Sequence, residues 1–253
     1  MRARHFFLVA ALSFTAVSAS ACSLKMALEP WPPYIYSDDA GQLAGVDLEL
    51  VQAIVKEAGC TLRIEAELPA LRRQILFREG KLDLMLAASD TPERRRYARF
   101  SMPYRNESVG LFTTPAKLAR FRKLASFGAI AQQHVSLLAP KAGWYGDSYH
   151  LAGETLEANG NRSTFGSFQQ GVQMFKAGRA DLIMGDRMAV LHEARRQGVA
   201  LAALPYVPFR APVHLMLNAA STTQANLDSL NAAIQRLERS GALPAIRARH
   251  GLP

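Results

Sequence analysis

From residue 48 onward the apolar positions Leu48, Val51, Val55 and Ala58 recur at helical spacing, after Asp47, a good N-cap type, and before Gly59. The pattern predicts a helix that stops at Gly59. Short apolar runs on either side, Leu24 to Leu28 and Thr61 to Glu67, read as strands. A second helical pattern, Leu71, Ile75 and Leu76, ends at Gly80. Leu82 to Ala88 comes next as an apolar run bounded by polar residues, which is how a strand buried on both faces reads. Strand, helix, strand, helix, strand predicts an α/β protein.

Further along, Phe77-Arg78-Glu79-Gly80-Lys81-Leu82-Asp83-Leu84 is echoed by Phe175-Lys176-Ala177-Gly178-Arg179-Ala180-Asp181-Leu182, at an offset of 98 residues. Six of the eight positions agree in identity or charge class, which favours duplicated architecture over chance. Each copy ends a helix, supplies a Gly for its C-terminal cap and leads into a strand. Two equivalent lobes make the strand ends important, because open α/β sheets bind ligands beyond the carboxyl ends of their strands. Those ends are Ala88-Ser89-Asp90-Thr91 and Gly185-Asp186-Arg187. Thr91-Pro92-Glu93-Arg94 reads as a first helical turn capped by Asp90 or Thr91, so free N–H groups and Arg94 together suit a carboxylate. Asp186 suits an ammonium group. A carboxylate grip on one lobe and an ammonium grip on the other describe an amino acid.

The composition is ordinary for a globular chain, with 49% hydrophobic and 20% charged residues among 253, and it leaves a net charge of +9. That charge could serve a nucleic acid, a membrane surface or only a solvated face. Arg2 and Arg4, the apolar run Phe6 to Val17 and then Ala19-Ser20-Ala21 have the pattern of a secretory signal over residues 1–21, with a mature periplasmic protein starting near Cys22. Export removes nucleic acid as a usual partner, and Arg94, Arg95, Arg96 and Arg99 then read as one ligand Arg with solvated neighbours. No Walker loop, dinucleotide fingerprint, Gly-x-Ser-x-Gly or zinc spacing occurs, so neither cofactor nor metal is expected. The two Cys each precede a predicted strand. If those strands are parallel neighbours, Cys22 and Cys60 start them within bridging range, and a disulfide is preferred to a lipid on Cys22, which would strand Cys60.

A set of short motifs also stands in order: Pro32-Pro33-Tyr34, Gly45-Val46-Asp47-Leu48-Glu49-Leu50, Gly80-Lys81-Leu82-Asp83-Leu84, Thr91-Pro92-Glu93-Arg94, Phe100-Ser101-Met102-Pro103-Tyr104, Gly178-Arg179-Ala180-Asp181 and Ser240-Gly241-Ala242-Leu243. In these the chain resembles the bacterial periplasmic solute-binding proteins of family 3, receptors of polar amino acid ABC importers. The resemblance implies a type II periplasmic-binding-protein fold. Each α/β lobe would hold a mainly parallel sheet flanked by helices, and two crossing strands would join the lobes. Lobe 1 would comprise residues 22–107 and 209–253, and lobe 2 residues 108–208.

The same resemblance implies that Arg94 and Ser89 hold the ligand carboxylate and Asp186 its amino group, while Trp31 packs on the ligand with Tyr34 behind it. Ala87 and Asp90 depart from the family pattern at the pocket floor. At the start of the second lobe, where the family has Gly followed by Ser or Thr, residues 131–136 offer Gln132 or Gln133 instead. Gly143 to His150 is a Trp- and Tyr-rich segment outside the commonest pattern. The implied role is that of a monomeric receptor without catalysis, delivering an amino acid or similar solute to an ABC permease. Two alternatives share the fold: a periplasmic cyclohexadienyl or prephenate-type dehydratase, with Asp90 or Glu29 as acid, and a receptor feeding a sensor or chemoreceptor.

Overall fold

In the computed structural model, which describes residues 22–38 and 40–252, strand β1 (Ser23–Ala27) leads into the short pair β2 (Tyr36–Ser37) and β3 (Leu43–Ala44). The expected signal, residues 1–21, lies outside the described residues. Helix α1 (Val46–Glu57), β4 (Thr61–Glu65), α2 (Ala70–Arg78) and β5 (Leu84–Ala88) then realise the predicted alternation. A long strand is next, β6 (Ala98–Thr113). Beyond it the chain forms α3 (Leu118–Phe121), α4 (Phe127–Gln132), β7 (Leu137–Pro140), α5 (Asp147–Ala158) and β8 (Arg162–Phe165). It continues with α6 (Phe168–Lys176), β9 (Leu182–Asp186), α7 (Arg187–Arg196) and β10 (Ala202–Ala203). The chain returns through β11 (Phe209–Asn218) to α8 (Gln224–Arg239) and α9 (Ala242–Arg249).

Strands β1 and β4 pair in parallel with Ser23 opposite Thr61, which sets the preceding cysteines side by side. Cys22 and Cys60 are joined in a disulfide, their Cα atoms 4.6 Å apart. The larger sheet runs β5-β11-β6-β9-β7-β8. Its order explains the two lobes. β11 pairs with β5 on the first-lobe side, β6 pairs with β9 on the second-lobe side, and β6 and β11 pair antiparallel with each other. These are the two crossing strands. The expected lobe divisions at residues 107/108 and 208/209 fall inside β6 and at the start of β11.

Alternation along the second-lobe strands sends neighbouring side chains to opposite faces of the sheet. Leu111, Leu137 and Leu182 join Phe127, Ile130 and Leu156 in one apolar cluster, while Phe112, Leu138 and Ile183 join Val172, Phe175 and Val190 in another. In the first lobe Leu24, Leu50, Ile54, Leu215 and Leu230 form the main cluster. The repeated motif folds alike in both copies. Gly80 N–H bonds Phe77 O and Lys81 N–H bonds Leu76 O, as Gly178 N–H bonds Phe175 O and Arg179 N–H bonds Met174 O. Both glycines are left-handed, with φ of 71° and 73°, where a side chain would be strained. Asp83 Oδ2 then accepts the Lys25 N–H and Asp181 Oδ2 accepts the Ser136 hydroxyl, so each Asp ties its strand to the start of a neighbour.

Two local expectations change. Helix α1 starts two residues early, at Val46 behind Gly45, and Asp47 lies inside its first turn instead of capping it. Its carboxylate is committed to Arg105. The helix expected after Thr91 is only a three-residue 3₁₀ turn, Arg94–Arg96, because the chain must enter β6 at Ala98. Little helix dipole is therefore available there to hold an anion.

Candidate ligand cleft

At the end of β5 the backbone of Ala87 takes φ 48°, an unusual conformation for a residue with a Cβ, and its N–H donates to the Tyr104 hydroxyl at 2.9 Å. This bend brings Ser89 inward, where it is buried. Arg94 Nη1 donates to Ser89 O at 2.9 Å, and no carboxylate pairs with Arg94 among the described residues. Asp90 turns out differently from a pocket-floor acid. Arg95 donates to both its oxygens at 2.6 Å, and that bond holds its carboxyl below the usual range. Thr91 Oγ1 accepts from the Arg94 N–H at 3.4 Å, and the short turn itself starts behind Glu93 without a side-chain cap.

The proline-rich loop docks on α1, where Tyr34 O accepts the Asp47 N–H at 2.8 Å. Gly45 is required at this approach, since a Cβ there would lie 2.3 Å from Tyr34 O. The Trp31 and Tyr34 rings are in tilted contact, with centroids 4.4 Å apart. The Arg105 guanidinium lies 4.0 Å from the Tyr34 centroid and 5.6 Å from that of Trp31. Arg105 is itself held by Asp47 through two bonds, 2.6 and 2.8 Å long, in a fully buried pair. The Trp31 indole nitrogen is buried with no hydrogen-bond partner. It borders a small cavity that Glu29 and Arg73, an ion pair, also line.

Across the cleft Asp186 ends β9 and caps α7, accepting the Ala189 N–H at 2.9 Å. Tyr34 packs against Trp31. Its hydroxyl crosses from the first lobe and donates to Asp186, 2.9 and 3.0 Å from the two oxygens. Burial pushes the Asp186 carboxyl up, against the opposing pull of Arg105. Burial likewise raises the Tyr34 phenol, and the facing Asp186 raises it further. Ala189, Phe168 and Met188 of the second lobe pack against the first-lobe cluster beside this contact.

Gln132 does not join these groups. It is the exposed last residue of α4, and the chain from there feeds the start of β7, where Leu137 pairs with Leu182 at the beginning of β9. Asp186 lies at the opposite end of β9. The second-lobe loop at the site end is instead the one after Pro140. There Gly146 packs on Phe209 of β11, and the field of Asp186, Glu107 and Glu29 adds to the burial that raises the Tyr145 phenol. The Trp- and Tyr-rich segment thus brings Tyr145 within the field of Asp186 and Glu107.

One site residue was missed. Glu107 lies on β6 opposite Ala211, two positions before Val109, which pairs with both Phe209 and Asp186. Alternation puts Glu107 on the same face of the sheet as Asp186. The Ser89 hydroxyl is 3.4 Å from Glu107 Oε1. Burial pushes its carboxyl up to about 7, with Arg105 opposing and Asp186 adding to the rise. The signal available in the sequence was the pair Arg105 and Glu107, charged at alternate positions of a strand otherwise rich in buried residues. The structure therefore brings Ser89, Glu107, Tyr34 and Asp186 together, with Arg94 tied to the backbone of Ser89. Trp31 and Ala87 border the group, and Asp90 and Gln132 stand apart from it.

Two α/β lobes joined by paired crossing strands, with cationic and acidic groups meeting between them, define a two-lobed binding protein of the type II periplasmic fold. Residues 24–253 match the bacterial extracellular solute-binding proteins, family 3, and the chain belongs to that family. A putative ABC transporter arginine-binding protein 2 of Escherichia coli strain K12 is 33% identical over 106 residues, 40% of this chain and 42% of that protein. The cyclohexadienyl dehydratase of Pseudomonas aeruginosa is 26% identical over 184 residues, 71% of this chain and 64% of that protein. Each match spans less than two thirds of the relative's own length. An ancestral arginine-binding protein bound to arginine superposes with a TM-score of 0.74 over 90% of this chain and 97% of that one. At 19% identity this is a likeness of fold.

Proposed function

We propose that the protein is a periplasmic receptor that captures an amino acid between lobe 1, residues 22–107 and 209–253, and lobe 2, residues 108–208, and presents the closed form to an ABC permease. The observation that carries this reading is the complementary pair of grips: Arg94 beside Ser89 lacks a carboxylate partner, and Asp186 lacks a cationic one among the described residues. An α-carboxylate and an α-ammonium satisfy both at once only when the lobes are closed, which is how binding shifts an open–closed equilibrium. The kinship with an arginine-binding protein supports the choice of ligand class.

Isothermal titration with the common L-amino acids tests the reading, using the parent and Arg94→Ala. Loss of the guanidinium leaves a buried carboxylate unpaired, a cost of roughly 3–5 kcal/mol. Binding by the parent that Arg94→Ala abolishes is the expected result. Equal affinity in both would sink the assignment of the carboxylate grip.

A second reading, acid-catalysed dehydration of a cyclic acid, has one observation in its favour. Burial holds the Glu107 carboxyl at about 7, in the range of a general acid, and a dehydratase is among the relatives. Incubation with prephenate, with the ultraviolet absorbance of an aromatic product as readout, separates the two readings. No product at micromolar enzyme excludes this one.

A further inference from the structure

The amino-acid reading uses Arg94, Ser89 and Asp186 and leaves Glu107 without a task. Its surroundings make that notable. From its own strand it faces Arg105, whose guanidinium is already bound by Asp47 of α1. After β5, Ser89 presents only a hydroxyl. Asp186, at the end of β9, is a like charge, and Tyr145, from the loop after β7, is a neutral phenol. Among the described residues Glu107 forms no ion pair, and neither does Asp186, although both carboxylates lie on one face of the sheet between closing lobes. Two carboxylates confined together, with only the already paired Arg105 as a nearby cation, form an electrostatically incomplete site. The ammonium group of an α-amino acid completes only one of them.

We propose that Glu107 is a specificity-determining residue of the cleft, selecting solutes that carry a second positive charge beyond the α-amino group. The inference rests on the amino-acid reading and adds the side-chain chemistry: a guanidinium or a terminal ammonium reaching the crossing strand. A solute with a neutral side chain leaves Glu107 without a cation, and closure then requires it to take up a proton. The raised carboxyl sets the sign. In the closed form without a cation Glu107 titrates at about 7, against an ordinary value of 4.5 when open to water. The closed complex with a neutral solute therefore binds more protons than the open protein between these values. Its affinity rises as pH falls through about 7 and levels off near the ordinary value. A cationic solute that pairs with Glu107 removes this dependence.

The test is titration calorimetry of the mature chain with L-arginine and L-glutamine, from about pH 8 to about pH 5. The parent is expected to prefer L-arginine by about tenfold or more at the upper end, as a charge-assisted bond should give. Glu107→Gln should lose about that factor for L-arginine and raise L-glutamine affinity at the upper end toward the parent's value in acid, which flattens its pH dependence. Glu107→Asp, which keeps the charge, should keep part of the preference, and it serves as the second variant should the amide impair folding. An unchanged arginine-to-glutamine ratio in Glu107→Gln, or a parent that prefers L-glutamine, overturns the proposal while the receptor reading stands. A parent that binds no amino acid overturns both.

Discussion

Arg105 joins most of the first-lobe wall at a single residue: it clamps Asp47, lies over the Tyr34 ring and approaches Trp31. Arg105→Met should expose this dependence. The fully buried Asp47 would lose its cation, which costs roughly 3–5 kcal/mol, and a urea melt of the variant should show a midpoint lowered accordingly. Adding Asp47→Leu should recover much of the loss, since an apolar pair of similar volume is often no worse than the ion pair it replaces. An unshifted midpoint for the single variant would show that water reaches Asp47. None of this was legible in the sequence, because the two partners stand 58 residues apart and meet only through the register of β6 against the rest of the sheet. The places of Ser89, just after β5, and Asp186, at the end of β9, were legible because the local pattern marks a strand end without any knowledge of pairing.

At the scale of elements, the readings that survive are those in which one segment carries its own signal. The period of α1, the glycine stops and the apolar run of β5 belong to that group, and so does the repeat, whose two copies form the same hydrogen bonds. Readings that depended on the neighbouring segment fared worse. Thr91 to Arg94 looks like a helix start, yet β6 begins at Ala98 and leaves room for one tight turn. Gln132 lies near the wrong end of β7 because α4 ends there and the strand starts only at Leu137. The pairing of β1 with β4 was correctly anticipated and has a measurable consequence in the Cys22–Cys60 bridge, which closes a segment with a sequence separation of 38. By the loop-entropy relation, reduction should cost about 4 kcal/mol. Denaturant melts with and without a thiol reductant read this directly, and coincident curves would show the strands hold without the bridge.

For the whole molecule, the decisive contact is the phenol of Tyr34 on Asp186, since it links the lobes through a group that the amino-acid reading assigns to the solute. Tyr34→Phe removes that donor and leaves a buried acid short of a partner in the empty closed form, a penalty of roughly 1–3 kcal/mol. The empty closed form should become scarcer and the affinity for L-arginine higher, by up to about tenfold. A calorimetric titration showing weaker binding would mean that the phenol also serves the bound solute. On the proposed amino-acid reading, Tyr34 would be a built-in competitor for Asp186, at an effective concentration set by the fold. On that reading a solute would displace the phenol when its ammonium on Asp186 and its carboxylate on Arg94 together outweigh the bond that is lost.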